Sequence, residues 1–425
     1  MCRVVIVGGG WAGCAAAVEC RKLGAEVILL ERTDMLLGTG LVGGIMRNNG
    51  RFTATEEMVC MGGGELFEMI DRNLKHRNIC FPGHEHADLY NVATISPFVT
   101  RQLCAMGIEI HHKTRIVALH WKKEKQQIAS VEDETGNVYE GDVFIDATGT
   151  AGPMNNCTKY GNGCAMCVLR CPSFGGRVSL TGLSGVKEIQ GKRQGGFVGA
   201  MSGSCKLLKE SLSRDIRKKL DGLGVAVIPI PGELSEDHLD IKCCQQYAIP
   251  QFRENLILLD TGHAKLMTPF YNLDHLRRIP GLENARYEDP YTGGKGNSIR
   301  YIAMAPRDNS LHVEGMENLF CAGEKAGLFV GHTEAIVTGV LAGYNSVQYT
   351  RGKEPLVLPD STAIGDMISY VKVEMETEEG RSKKYTFSGS IYFERMKEKK
   401  LYTTNVKEIK NRIEKAGMLE IFSRV

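Results

Sequence analysis

The sequence has no uninterrupted apolar stretch near the ~20 residues that span a bilayer, so neither a transmembrane helix nor a membrane partner is expected. It also has little charge imbalance. Its 52 Lys and Arg against 50 Asp and Glu leave a formal net charge of +2, which excludes a strongly basic nucleic-acid-coating protein but not a local basic face. Met1-Cys2-Arg3 runs straight into Val4-Val5-Ile6-Val7, without the longer apolar core and small-residue cleavage site of a signal peptide. No internal repeat is present, so each segment is read on its own. Hydrophobic residues at 43% rule out global disorder, and 425 residues at roughly 100–200 per domain leave room for two to four domains. Two residue types are plentiful. Glycine, at 49, comes in clusters of the kind backbones use to approach a phosphate or to turn with positive φ. Fourteen cysteines scattered over so long a chain point to reduced thiols in a cytoplasmic protein, with any tight cluster read as metal or redox chemistry.

The opening carries the most information. Val4 to Val7 is a buried-strand pattern, followed by Gly8-Gly9-Gly10-Trp11-Ala12-Gly13, a helical run from Cys14 to Leu23, and a second strand, Ala25 to Leu30, ending at Glu31. Strand, glycines, helix, strand and acid in that order form a dinucleotide-binding fingerprint. Gly8 makes the tight turn, Gly10 lets the backbone reach a pyrophosphate, and Gly13 permits close helix–sheet packing. The helix N-terminus offers N–H donors to the anion. Glu31, with Arg32 beside it, is placed at the ribose, where a carboxylate repels a 2′-phosphate.

Later segments choose the nucleotide. Residues 114–149 read as a hairpin followed by the strand Asp142 to Asp146 and the turn Ala147-Thr148-Gly149. That strand and turn resemble the second FAD motif of the glutathione-reductase-type flavoproteins. Asn318-Leu319-Phe320-Cys321-Ala322-Gly323-Glu324, with Gly327, Gly331 and a helix from Glu334 to Asn345, resembles their third motif. The resemblance implies FAD, with this last unit along the ribityl chain and flavin ring. It places His332 beside the flavin, as a donor to its N1–C2=O edge or a proton relay. No second GxGxxG follows residue 150, so a dedicated NAD(P)H domain is not expected. The reductant, NAD(P)H or a protein donor, must reach the flavin face directly or through another centre.

The C-terminal part narrows the resemblance. Ile279-Pro280-Gly281-Leu282-Glu283-Asn284-Ala285, the stretch Asn318 to Gly343, and Leu358-Pro359-Asp360-Ser361-Thr362-Ala363-Ile364-Gly365 are similar to the folate-dependent tRNA uridine methyltransferases (TrmFO) and to GidA/MnmG. That family carries Cys-Ser-Asn shortly after the first FAD unit. Here Gly38-Thr39-Gly40-Leu41-Val42-Gly43-Gly44 stands instead and the nearest cysteine is Cys60, so no catalytic cysteine transfers.

Cysteines cluster once, at Cys157, Cys164, Cys167 and Cys171-Pro172. The core is C-x2-C-x3-C-P, so three of the four ligands of a bacterial-ferredoxin-type [4Fe-4S] motif stand at matching spacing. Zinc, a redox or nucleophilic thiol pair at Cys164 and Cys167, and buried inert thiols are the other readings. The vicinal Cys243-Cys244 lies in the same middle region. Cys2, Cys14, Cys20, Cys80, Cys104 and Cys321 read as core. Lys295 and Arg307 sit in a Gly/Asn-rich region that can bind an anion or simply be solvated. The segment from Lys372 to Val425 holds thirteen Lys/Arg against nine Asp/Glu, interleaved with Tyr385, Phe387, Tyr392, Phe393 and Tyr402. It reads as an amphipathic helix closing the domain or as an RNA-binding face.

The expected architecture is an α/β, Rossmann-like FAD fold of the glutathione-reductase type with an inserted α+β substrate lobe. Its parts are 1–150, the insert 151–274, 275–350 and a basic helical extension 351–425. Within the insert a helix is expected from about Cys205 to Leu220 and a strand from Val225 to Ile230. The expected function is an FAD-dependent oxidoreductase using Cys164, Cys167, Cys171 or His332 on a substrate left open. Alternatives are a tRNA-type uridine-modifying flavoenzyme and a binding or scaffold protein with structural flavin. A homo-oligomer is compatible with all three.

Overall fold

The computed structural model describes residues 2–123, 126–149, 171–191, 200–201, 204–237, 239, 245–268, 271–288, 299–300 and 302–423. Five parallel strands form the central sheet, in the order Leu319–Cys321, Val143–Asp146, Arg3–Val7 (β1), Glu26–Leu30 (β2) and Glu109–His111. The inner strands read as unbroken apolar runs because both faces are covered, as parallel sheets require. Val4, Val5, Ile6, Phe144 and Ile145 are fully buried. Helix α1 (Trp11–Lys22) follows β1, and Gly8, at φ 105°, makes the turn between them. An antiparallel sheet of Ile116–Trp121, Ile128–Asp133 and Val138–Glu140 then leads into Val143–Asp146.

A second lobe has its own core. Cys205–Leu207, Ala264–Leu266, Asn255–Asp260 and Val225–Pro229 form a four-stranded antiparallel sheet, packed by the helix Arg214–Leu223. A second sheet, Ile45–Met46, His84–Tyr90 and Leu74–Phe81, comes from the first third of the chain. It shares a core with Tyr247, Phe252, Ile257 and Met267. The cleft wall is therefore built from two distant stretches of sequence.

Three expectations are corrected. The segment from Cys205 begins as a strand: Cys205 and Leu207 are buried and Lys206 is half-exposed, a period of two. The helix starts only at Arg214, where the Ser213 hydroxyl accepts from the N–H of Ile216. Cys80 and Cys104 are exposed, while Cys14, Cys20 and Cys321 are buried, and burial pushes these three thiols well up, so they stay protonated. Finally, Tyr385, Phe387 and Tyr392 are fully buried in the main core and form no aromatic surface.

The C-terminal segment folds as helices, among them Ala363–Glu376, Ser390–Glu398 and Val406–Lys415, locked on by buried carboxylates. Glu57 accepts the N–H groups of Ala363 and Ile364 at 2.9 and 3.1 Å and pairs with Arg412 at 2.7 Å. Asp366 accepts from Arg395 at 2.9 and 2.8 Å, from Tyr392 at 3.0 Å, and from Lys399. Burial opposes the charge on Asp366, but the Arg395 and Lys399 hydrogen bonds outweigh it and hold the carboxyl below the usual Asp range. A lowered folded-state pKa adds stability in full above the unfolded value of about 3.9 and loses it as pH falls through the folded one. Urea unfolding at a series of pH values below 5 will therefore show a steeper loss for the wild type than for Asp366→Asn. The variant will be the less stable protein at pH 7.

Candidate functional site

A cleft with about 1740 Å³ of empty space, its open mouth included, runs along the C-terminal ends of the central strands. That edge is where parallel α/β sheets bind ligands. It is lined by Gly8, Gly10, Glu31, Arg32, Ala147, Thr148, Gly149, Gly323, Glu324, Gly331 and His332. The remaining glycine of the fingerprint, Gly13, packs behind the wall.

The glycines divide the work. A Cβ on Gly13 would stand 1.9 Å from the Gly8 carbonyl oxygen, so this position sets how closely α1 meets the sheet. A Cβ on Gly8 would stand 2.4 Å from the Ala147 carbonyl oxygen. A Cβ on Gly10 would meet no protein atom within 4 Å, so the space in front of the α1 N-terminus is open. Diphosphate fits there, against free N–H donors and the positive end of the helix dipole. Glu31 is oriented from both sides: one oxygen accepts the Gly9 N–H at 2.8 Å, the other the Thr33 N–H and hydroxyl at 2.7 and 2.9 Å. The oxygen bound to the Gly9 N–H keeps a second lone pair for a further donor.

Asp146 shapes the Ala147-Thr148-Gly149 turn. Its carboxylate accepts the Thr148 N–H and hydroxyl at 3.2 and 2.7 Å and the Thr181 N–H and hydroxyl at 2.8 and 2.7 Å, tying the turn to residues 179–184. Arg32 and Arg115 donate to the carbonyls of Gly175 and Gly176, so the stretch just before Ser179 is tied to the Glu31 end of the cleft.

At the opposite end the helix His332–Thr350 aims its N-terminus into the cleft. Gly331, at φ 150°, has no room for a side chain: its Cβ would lie 2.0 Å from both Arg51 Nη2 and Glu334 Oε2. Those two form a buried pair at 3.1 Å. Arg51 also donates to Val330 O and Thr386 Oγ1 at 3.0 Å, and Glu334 accepts from Thr386 and the Phe387 N–H at 2.7 and 2.8 Å. The opposite wall comes from the second lobe, with Tyr247, Met267 and the buried Lys265, whose ammonium donates to the Val42 carbonyl. Burial, with Lys206 and Lys265 near, pushes the neighbouring His263 down to about 3, so it is neutral. Arg51, Lys265 and Glu334 escaped assignment from sequence because their partners lie far along the chain; Gly50 and Gly331, close to Arg51 and Glu334, were the local signal.

Cys157, Cys164 and Cys167 lie outside the described residues, as do Cys243, Cys244 and Lys295; of Cys171 only the backbone is described, opening the short helix Cys171–Phe174. Among the described residues no group of three or more His, Cys, Asp or Glu could hold a metal ion, and no helix is long and apolar enough to cross a membrane. Arg307 is corrected. It is fully buried and donates to the carbonyls of Ala326, Asp308 and Ile368, so it is neither solvated nor an anion site.

Fold and cleft define an FAD-binding flavoprotein fold. Sequence comparison agrees: the family model described as FAD dependent oxidoreductase matches residues 3–154, and that of glucose inhibited division protein A matches residues 262–354. The methylenetetrahydrofolate–tRNA-(uracil-5-)-methyltransferase TrmFO of Caldicellulosiruptor bescii is 36% identical over 95 residues, which is 22% of this chain and 21% of that protein. Its counterpart from Lactobacillus gasseri is 39% identical over 95 residues, 22% of this chain and 20% of that protein. The aligned stretch thus spans about a fifth of each curated relative. Aquifex aeolicus GidA superposes with a TM-score of 0.68 over 100% of this chain and 74% of its own, at 17% identity, which shows the shared fold. Over these stretches the chain is similar to GidA and to TrmFO, on an FAD-binding fold.

The two glycine environments predict opposite defects. Gly13→Ala will lower the melting temperature, because overpacking against backbone costs about 1–3 kcal/mol. Gly10→Ala will leave melting of the flavin-free protein near wild type and weaken FAD binding, read by fluorescence titration.

Proposed function

We propose that this chain is an FAD-dependent oxidoreductase whose substrate binds between the two lobes at the His332 end of the cleft. The carrying observation is the unbroken path from Glu31, past the open space at Gly10, to the second helix N-terminus at His332. Glu31 and Arg32 would hold the adenosine, Gly8 and Gly10 the diphosphate, and Thr148, Gly149, Gly323, Glu324 and Gly331 the ribityl side. Bound FAD supplies hydride and one-electron chemistry. His332 would hold or pass a proton at the ring end, and Tyr247, Met267 and Lys265, which line the same cleft, would keep water from that end.

A second reading is modification of an RNA uridine, supported by the 262–354 match and the likeness to tRNA methyltransferases. Without Cys-Ser-Asn after the first FAD unit, its nucleophile would have to come from elsewhere, and Cys164, Cys167 and Cys171 are the candidates. The same cysteines, with Cys157, would be the ligands of an Fe–S relay to the flavin.

The test is anaerobic purification followed by an absorption spectrum, iron analysis and mobility shift with bulk tRNA. Flavin bands that bleach with dithionite, and FAD in the denatured supernatant, are expected. Absence of flavin bands after added FAD overturns the proposal. Iron with a visible shoulder lost in Cys167→Ser would establish the relay, and a tRNA shift that weakens steeply with salt would favour the RNA reading.

A further inference from the structure

We propose that Tyr90 is a positioning residue that fixes His332 in the tautomer protonated at Nδ1 and so places the imidazole lone pair on Nε2. This rests on the reading of the cleft as an FAD site, in which His332 borders the ring.

Tyr90 is fully buried, and its hydroxyl carries a single hydrogen. Its oxygen lies 2.7 Å from the carbonyl oxygen of Gly40, which can only accept, so the hydroxyl proton is committed there. The same oxygen lies 3.4 Å from Nδ1 of His332. With the proton spent on Gly40, the tyrosine oxygen can only accept from that nitrogen, and Nδ1 must carry the hydrogen. Burial pushes the Tyr90 hydroxyl well above its ordinary range, so it does not give up the proton that decides the matter.

The imidazole is clamped so that this choice persists. Trp11 and Tyr90 flank it, with ring centroids 6.0 and 6.1 Å away. Gly43 lies along its Cε1–Nε2 edge, where a Cβ would stand 1.7 Å from Cε1 and 2.3 Å from Nε2. A neutral imidazole held this way receives a proton at Nε2 and returns it from the same atom. Tyr90 reaches no cofactor or substrate in this scheme and acts only through His332.

Nitrogen-15 spectra of full-length protein carrying labelled histidine, with His332→Gln to assign the signal, test this with and without bound FAD. Expected are a protonated-type Nδ1 and a lone-pair-type Nε2 for neutral His332, and in Tyr90→Phe a shift of both signals toward a tautomer mixture. A protonated Nε2 in the wild type, or spectra unmoved by Tyr90→Phe, overturns the proposal. Because the wild-type tautomer is itself decisive, a poorly folding variant does not block the test. If FAD neither binds nor moves the His332 signals while Nδ1 stays protonated, the cofactor reading fails and the tautomer assignment stands.

Discussion

Helix α1 and the helix His332–Thr350 meet almost backbone to backbone. A Cβ on Gly339 would lie 2.3 Å from the carbonyl oxygen of Ala12, and one on Gly343 2.7 Å from that of Ala16. Only small residues on both sides allow so close a crossing, and the shape of the cleft follows from it. The crossing brings two helix N-termini, at Gly10 and Gly331, to the same cleft. Larger residues in the seam would push the second N-terminus away from the first and open the cleft between them.

Elsewhere in the main core, buried carboxylates are paired with arginines. Arg51 with Glu334, Glu57 with Arg412 and Asp366 with Arg395 each join elements remote in sequence. Taking such charges out of water is costly, and the return comes from geometry that satisfies the remaining lone pairs. Arg307 goes further, its guanidinium held by main-chain carbonyls and by Phe329 at 5.8 Å. Burial pushes it down to about 10, which still leaves it charged at neutral pH. These groups act as rivets that set loop positions.

What was legible in the sequence was what repeats locally. Val4 to Val7, the glycines, the alanine-rich helix and Glu31 are contiguous, and their order dictates strand, turn, helix and strand, as observed. Ala147-Thr148-Gly149 and Gly323-Glu324 were legible through resemblance, and they stand in the same cleft as Gly10. The strand at Cys205–Leu207 was misread because a three-residue strand gives too few alternations to separate it from the helix that follows. Tyr90, Arg51 and Lys265 were invisible for another reason: a tyrosine two strands away, an arginine inside a helix and a lysine in a second lobe acquire meaning only from partners hundreds of residues off.

The strand Leu319–Cys321 closes one side of the sheet by pairing with Val143–Asp146, and residues 147–318 intervene. During synthesis the edge of Val143–Asp146 stays unpaired until Leu319–Cys321 has left the ribosome, and an exposed strand edge invites association with other chains. The long loop must close before the pairing returns any free energy. Assembly of the nucleotide site is therefore a late event in the life of the nascent chain, one for which a chaperone shielding that edge would have the most to offer.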